Sequence, residues 1–436
     1  MTVRKCILGA ALTALVSGSA AMAADQSTQA AADLSQSPLS LAPTYMDSTP
    51  TTLTPAMYLL DPTPVGKWLE NNKIDITGFA EGGYFYDTNN PRLGTGPTSD
   101  NPTYISFPGQ YSNRGLLDQL DLSISKTIDT TKTWDWGFLF ENGYGVDDSY
   151  IHSDGVLDNR PPGNPENQYD IIQANVSLLV PVGTGLTLTA GKFVTILSNE
   201  VINPTGNLFF THSYNFFYGV PATSTGVTGS YTFSKLVNGN DLTVLAGITR
   251  GWNQSSRDNN GAIDGIFQAK SSITSKLSGI FNIEFGPEAT GDNSDYWTTP
   301  ELILSYAYSD QLTFTGDFLY SDFPHGGAVA PDTNAQWYGA VGYASYKFSS
   351  YFTANLRGEW YRDQGGFTTG NQANYYEATF GLDIHPFPND NILQWLQLRP
   401  EIRQDWSDRP VYNISHNDGG GDYQELTAAM DVIMQF

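Results

Sequence analysis

From Ile74 to the last residue, Phe436, apolar and polar side chains alternate with a period of two in one stretch after another. A β-strand sends successive side chains to opposite faces, so the pattern belongs to a sheet with a different environment on each side. Between Gln119 and Ile128, Leu120, Leu122, Ile124 and Ile128 share one face, and Gln119, Asp121, Ser123 and Ser125 the other. Trp134, Trp136, Phe138 and Phe140 stand opposite Asp135, Gly137 and Glu141; Ile172, Ala174, Val176, Leu178 and Val180 stand opposite Gln173, Asn175 and Ser177. The same holds for Phe352, Ala354, Leu356 and Trp360 against Thr353, Asn355, Arg357 and Glu359, and for Tyr376, Phe380, Leu382 and Ile384 against Glu377, Thr379 and Asp383. These runs are about 10 to 14 residues long, as a tilted bilayer crossing requires, where strands of globular sheets reach about five or six. The expected fold class is all-β: a transmembrane antiparallel up-and-down β-barrel.

The connections carry a second, independent signal. Short ones at 129–132, 182–185, 309–311 and 349–350 alternate with long polar ones near 87–114, 148–167, 198–222, 254–263, 286–297, 323–334, 363–373 and 408–421. Bacterial barrels have short periplasmic turns, long extracellular loops and an even strand count, so eight long loops predict about sixteen strands. Parity also splits 264–286 into two strands around a tight turn at Thr274 to Lys276. A barrel of about sixteen strands leaves a water-filled lumen, whereas about eight would be packed solid. The last strand aligns Leu426, Ala428, Met430, Val432, Met434 and Phe436 on one face. An alternating strand ending on an aromatic resembles the signal that outer-membrane barrels present to their insertion machinery; that machinery and outer-membrane lipids are the expected partners.

Residues 1–23 read as a cleaved export signal: Arg4 and Lys5, an apolar run from Cys6 to Val16, and Ala21-Met22-Ala23 at the cleavage site. The only cysteine, Cys6, leaves with it, so no disulfide or thiol chemistry is expected in the mature chain. Residues 24–73 form a Ser/Thr/Pro-rich flexible periplasmic lead, with one short helical turn around Pro64 to Asn71, ahead of a barrel spanning 74–436. The formal charge of -24 excludes nucleic acid as a partner, since that requires a basic stripe.

Alternation assigns the inward face. It collects Glu81, Asp121, Asp135, Glu141, Glu284, Glu301 and Asp317, and the pore-lining candidates Arg357, Glu359, Glu377, Asp383, Arg399, Glu401, Arg403, Asp405, Glu425 and Asp431. Acids outnumber bases, which favours cations. The cluster around Arg399, Glu401, Arg403 and Asp405 admits two readings: a cross-strand ion ladder stiffening the wall, or a transverse field across a constriction. The loop 198–222, rich in Asn, Phe and Tyr, is the candidate to fold inward and complete such a constriction. Trp134, Tyr306, Tyr308, Phe348, Trp360 and Trp406 suit an interfacial girdle, while Phe79, Tyr361 and Tyr375 point inward.

The five histidines, His152, His212, His325, His385 and His416, lie in or beside loops, and only His416 has a nearby carboxylate in sequence, Asp418. No catalytic, cofactor or metal signature emerges. An outer-membrane barrel enzyme of protease or lipase type, and a non-conducting adhesin or structural barrel, stay open as alternatives.

From Gly66 to Phe436 the chain resembles the OmpL-like outer-membrane β-barrel porin family. The resemblance is carried in order by Gly66-Lys67-Trp68-Leu69-Glu70, Ile76-Thr77-Gly78-Phe79, Leu186 to Phe193, Tyr218-Gly219-Val220-Pro221 with Gly226, Gly251-Trp252-Asn253, Phe285-Gly286-Pro287-Glu288 and Arg399 to Ser407. It implies a porin for passive diffusion of small hydrophilic solutes, without enzymatic activity or cofactor. Homotrimers are common among porins of sixteen strands. The long Ser/Thr/Pro-rich lead departs from the family pattern.

Overall fold

The computed structural model describes residues 53–88, 113–155, 166–326, 333–412 and 421–436. The expected signal, most of the lead and His416 lie outside the described residues. Sixteen strands follow one another: β1 (Ile74–Asp87), β2 (Arg114–Lys126), β3 (Asp135–Gly145), β4 (Gln168–Val180), β5 (Leu186–Val194), β6 (Thr223–Val237), β7 (Asn240–Thr249) and β8 (Asp264–Ser272). The second half is β9 (Leu277–Pro287), β10 (Tyr296–Ala307), β11 (Leu312–Phe323), β12 (Ala335–Lys347), β13 (Phe352–Asp363), β14 (Ala373–Ile384), β15 (Leu396–Ser407) and β16 (Gln424–Gln435). Each pairs antiparallel with the next, and β16 closes on β1 over Phe79 to Asp87, so the barrel is closed and only the first residues of β1 lack a strand on that side. The split at Thr274 to Lys276 is present between β8 and β9. Among the described residues no helix is long and apolar enough to cross a membrane, which says nothing of a β-barrel.

Burial follows the predicted alternation. In β16 every second side chain from Glu425 to Ile433 is buried and those between them are exposed. Leu356, Trp360, Phe380, Ile402 and Trp406 all face outward. The girdle residues Trp134, Tyr306, Tyr308 and Phe348 lie exposed at the short-turn rim, with Trp360 and Trp406 toward the other.

Two irregularities break the alternation. Gln119 faces Glu81 and Leu117 faces Gly82, leaving Asp118 as an extra residue in β2. In the same way Gln173 faces Glu141 and Ile171 faces Asn142, leaving Ile172 as the extra residue in β4. A bulge displaces one side chain from the two-residue repeat. Ile172, expected on the lipid side with Ala174 and Val176, is therefore buried inside at 1% exposure.

Helical structure in the lead begins earlier than the single turn expected. Helix α1 (Pro55–Leu60) and helix α2 (Pro64–Asn72) both carry Pro at the first turn, where a missing N–H costs nothing. Thr63 Oγ1 caps α2 by accepting from Gly66 N at 3.0 Å. Lys73, in the left-handed region at φ 55°, turns the chain into β1.

The seam is tight where β1 meets the chain end. Gly78 N donates to Phe436 O and Phe436 N to Gly78 O, both at 2.8 Å. A Cβ at Gly78 would lie 2.3 Å from the Asp121 carbonyl oxygen and 2.7 Å from the Phe436 ring. Gly78→Val should lower folding stability by about 1–3 kcal/mol through overpacking. Urea unfolding in detergent, followed by tryptophan fluorescence, checks this; an unchanged midpoint would show that the seam has slack.

Candidate functional site: a loop held inside the barrel

The segment between β5 and β6, residues 195–222, folds into the barrel as the aromatic content of 198–222 suggests. It is compact on its own account. Val201 N donates to Asn207 Oδ1 at 2.9 Å and Asn207 Nδ2 donates back to Val201 O at 2.7 Å, closing a small ring of chain. Ser213 Oγ accepts from Phe216 N at 3.2 Å and starts helix α3 (Tyr214–Gly219).

The loop lies against the wall from β10 to β15, and charged side chains hold its backbone. Glu301 accepts from Ser198 N at 2.7 Å, Asp317 from Asn199 N at 3.1 Å, and Glu401 from Phe210 N at 2.8 Å. Both oxygens of Glu359 accept at 2.7 Å, from Tyr214 N and Asn215 N. The loop carbonyls are met by arginines. Arg399 Nη1 donates to Pro204 O at 2.7 Å and Asn207 O at 2.8 Å. Arg403 Nη1 donates to His212 O, and Arg357 Nη1 to Thr211 O, each at 2.6 Å. Close docking also needs the glycine at 339, where a Cβ would stand 2.0 Å from Asn215 Oδ1.

The wall residues singled out from the sequence come together on this face. Arg399 pairs with Asp431, directly opposite on β16, and reaches Glu81 at 3.3 Å. Arg403 pairs along its own strand with Asp405 at 2.8 Å, and Arg357 diagonally with Glu377 at 3.1 Å. Asp383 sits apart near the short-turn rim, 2.9 Å from Gln397 Nε2. Glu359, Glu377, Asp405 and Glu425 stand directly opposite one another across four strands. An alternating ladder of opposite charges is therefore only part of the pattern: Arg399 and Asp431 fit it, while the four-acid row does not. Like charges in such positions repel. Here Glu359 accepts from loop N–H groups, and Glu377 and Asp405 pair with guanidinium groups.

The loop supplies partners that inward alternation did not reveal. Glu200 accepts from Arg357 at 2.9 Å, from Tyr343 OH at 2.9 Å, and contacts His212 Nδ1 at 3.0 Å. Burial raises its pKa, but Arg357 and His212 outweigh burial and bring it down to about 2, so it is charged at neutral pH. Phe79, Tyr361 and Tyr375 do point inward and are buried; Tyr361 and Tyr375 stack around Tyr214 rather than lining open space. Trp252, Trp297, Trp337 and Phe323 pack together nearer the long-loop rim.

The opposite wall differs. Ser177, Thr187, Thr189, Thr232, Thr243 and Lys270 on β4 to β8 stay partly exposed, with Ser177 and Thr189 2.8 Å apart and Thr232 and Thr243 3.0 Å apart. Beside them Asp118, Asp121, Glu141, Asp147 and Asp148 form an acidic patch. Asp148, in the short turn after β3, is pushed up to about 8 by burial and by Asp170. Among the described residues no group of three or more His, Cys, Asp or Glu is arranged to hold a metal ion. The described histidines each meet a carboxylate: His152 Asp170, His212 Glu200, His325 Asp295 and His385 Asp383.

The family profile described as "Putative beta-barrel porin-2, OmpL-like" matches residues 73–436. The chain belongs to this porin family. Among solved structures it is similar to the outer membrane channel DcaP of Acinetobacter baumannii, at 11% identity and TM-score 0.52, covering 83% of this chain and 97% of that one. It is similar to an anion-selective porin from Comamonas acidovorans, at 11% identity and TM-score 0.54, covering 83% and 99%. OprB of Pseudomonas putida is similar at 13% identity and TM-score 0.52, covering 86% and 97%. These likenesses concern the fold. No curated protein matches the chain. The protein is an outer-membrane porin of sixteen strands, with short periplasmic turns and long extracellular loops.

Removing one arginine from the loop clamp leaves buried charge behind. Arg399→Met strips Asp431 of its partner and the Pro204 and Asn207 carbonyls of their donor, at a cost of about 3–5 kcal/mol. The expected result is a lowered Tm together with protease cleavage inside 195–222, a segment whose burial should protect it in the parent. Continued protection would show that Arg399 does not hold the loop.

Proposed function

We propose that this porin passes small hydrophilic solutes by passive diffusion along the hydroxyl-lined wall, with a mild preference for cations. The observation that carries this reading is the seating of the inward loop: its backbone is held by β10 to β15, while the inward hydroxyls of Ser177, Thr187, Thr189, Thr232 and Thr243 on β4 to β7 stay partly exposed. Hydroxyls replace water at low cost to a hydrated solute and carry no net charge. The charge bias comes from elsewhere. Arg357, Arg399 and Arg403 are each neutralised by an adjacent carboxylate, whereas the patch from Asp118 to Asp148 contains more acid than base. Pore-lining roles for Arg357, Glu359, Arg399, Glu401, Arg403 and Asp405 are accordingly indirect, since these side chains hold the loop that shapes the passage; Glu377 and Asp431 act through the arginines they pair with, while Asp383 stands at the short-turn rim and Glu425 against Asp87. Export by a cleaved signal, insertion through the strand ending at Phe436, assembly as a homotrimer and the absence of enzymatic activity belong to the same reading.

In planar bilayers the purified protein should give stable ion conductance, with a reversal potential in a KCl gradient on the cation side. A silent barrel would sink the reading, and liposome swelling with graded sugars and amino acids would then show no uptake. The cation preference should grow between pH 6 and 9, because a carboxyl with a raised pKa gains its negative charge as pH rises. Asp148→Asn should flatten that rise; a pH response unaffected by the substitution would place the charge bias elsewhere.

A further inference from the structure

β1 starts before β16 ends opposite it. The β1–β16 pairing covers Phe79 to Asp87, and the last bond of the seam joins Gly78 to Phe436, so the stretch from Ile74 to Thr77 has no strand on that side. The two lead helices fill the place. Met57 Sδ accepts from Ile76 N at 3.4 Å, and Met57 and Leu69 are buried against the barrel. Tyr58 OH accepts from Asn391 Nδ2 at 3.3 Å in the turn between β14 and β15. Lys73 Nζ pairs with Asp129 at 2.5 Å in the turn between β2 and β3. The helices are thus tied to turns on both flanks of the seam, at the periplasmic rim.

Covering the seam uses only part of their apolar surface. In α2, Val65, Trp68 and Leu69 share one side at helical spacing, and Lys67, Glu70 and Asn71 the other. The barrel covers Leu69 alone of the three, leaving Val65 57% and Trp68 58% exposed; on α1, Leu59 is 61% exposed. This surface adjoins the lipid-facing girdle, because the turn holding Asp129 runs into Trp134 and Trp136, which are exposed on the outside of the barrel. Tryptophan and leucine on one side of a helix with lysine on the other suit the boundary between headgroups and acyl chains.

We propose that α1 and α2 form a foot that lies in the periplasmic leaflet of the outer membrane, with Leu59, Val65 and Trp68 against phospholipid. This rests on the barrel's place in the membrane and not on conduction, so a non-conducting protein would leave it standing. The foot continues the lipid-facing surface of the barrel inward from the seam and holds the closing strand pair by its periplasmic end.

The mature chain has no cysteine if cleavage follows Ala23, so single labelling sites can be introduced by Leu59→Cys, Val65→Cys, Trp68→Cys and, as a control on the polar side, Glu70→Cys, with Cys6→Ser wherever the leader is retained. The spin-labelled proteins, in phosphatidylethanolamine and phosphatidylglycerol vesicles, are measured for relaxation by oxygen and by a water-soluble nickel chelate. Retained heat-modifiable migration on gels confirms that each is folded. Labels at 59, 65 and 68 should favour oxygen over nickel by several fold, and the label at 70 the reverse. Nickel access at 59, 65 and 68 equal to that at 70 would mean the foot stands in water. Shielding from both reagents would mean that a protein surface, such as a second copy, covers it. Either result overturns the proposal.

Discussion

A polypeptide segment placed inside a barrel brings its backbone polar groups with it, and each N–H and C=O must find a partner there. The segment 195–222 has little regular structure with which to satisfy its own, so the wall does it. Carboxylates at Glu301, Asp317, Glu359 and Glu401 accept from its N–H groups, and guanidiniums at Arg357, Arg399 and Arg403 donate to its carbonyls. A loop backbone bonded on one side by acids and on the other by bases has one seating. The interior charge pattern of β10 to β16, which in isolation looks like a selectivity device, is set by this need.

The same need accounts for the four-acid row from Glu359 to Glu425. Directly opposed carboxylates would destabilise a bare sheet. They persist because the next row toward the turns carries Arg357 and Arg403, and because Glu359 accepts hydrogen bonds from the loop N–H groups of Tyr214 and Asn215. Charge-assisted bonds of this kind are stronger than neutral ones, and loss of one partner leaves the other buried and alone.

What could be read from the sequence follows from how local each constraint is. Lipid outside and water or protein inside impose a two-residue period on every strand, so strand number, loop parity, the turn at Thr274 to Lys276 and the inward set from Arg357 to Asp431 were legible. The bulges at Asp118 and Ile172 were not, since one extra residue changes the phase without changing composition, and Ile172 is as apolar as the lipid-facing residues beside it. The inward loop was marked by Phe209, Phe210, Tyr214 and Phe216, aromatic side chains that need cover. Its anchors were not marked: Arg399 and Pro204 are separated by 195 positions, and Glu359 and Tyr214 by 145. Glu200, buried within the loop itself, had no period to announce it.

The consequence for permeation lies in which charges remain visible to a solute. A guanidinium within about 3 Å of a carboxylate is a dipole, and its field falls off faster than that of a single charge; at physiological salt even single charges are screened within roughly 8 Å. Neutralised pairs under the loop therefore contribute little to a passage on the far side of it. The acids of β2, β3 and the turn at Asp147 have few bases nearby, so they dominate the field there, but only to the extent that they are ionised. Burial lifts Asp148 to about 8, so in the proposed reading the patch gains negative charge as pH rises. In the proposed reading, a wall of serine and threonine beside a titrating patch separates two properties that an open arginine cluster would combine: the hydroxyls set what is hydrated comfortably, and the carboxyls set which charge is favoured.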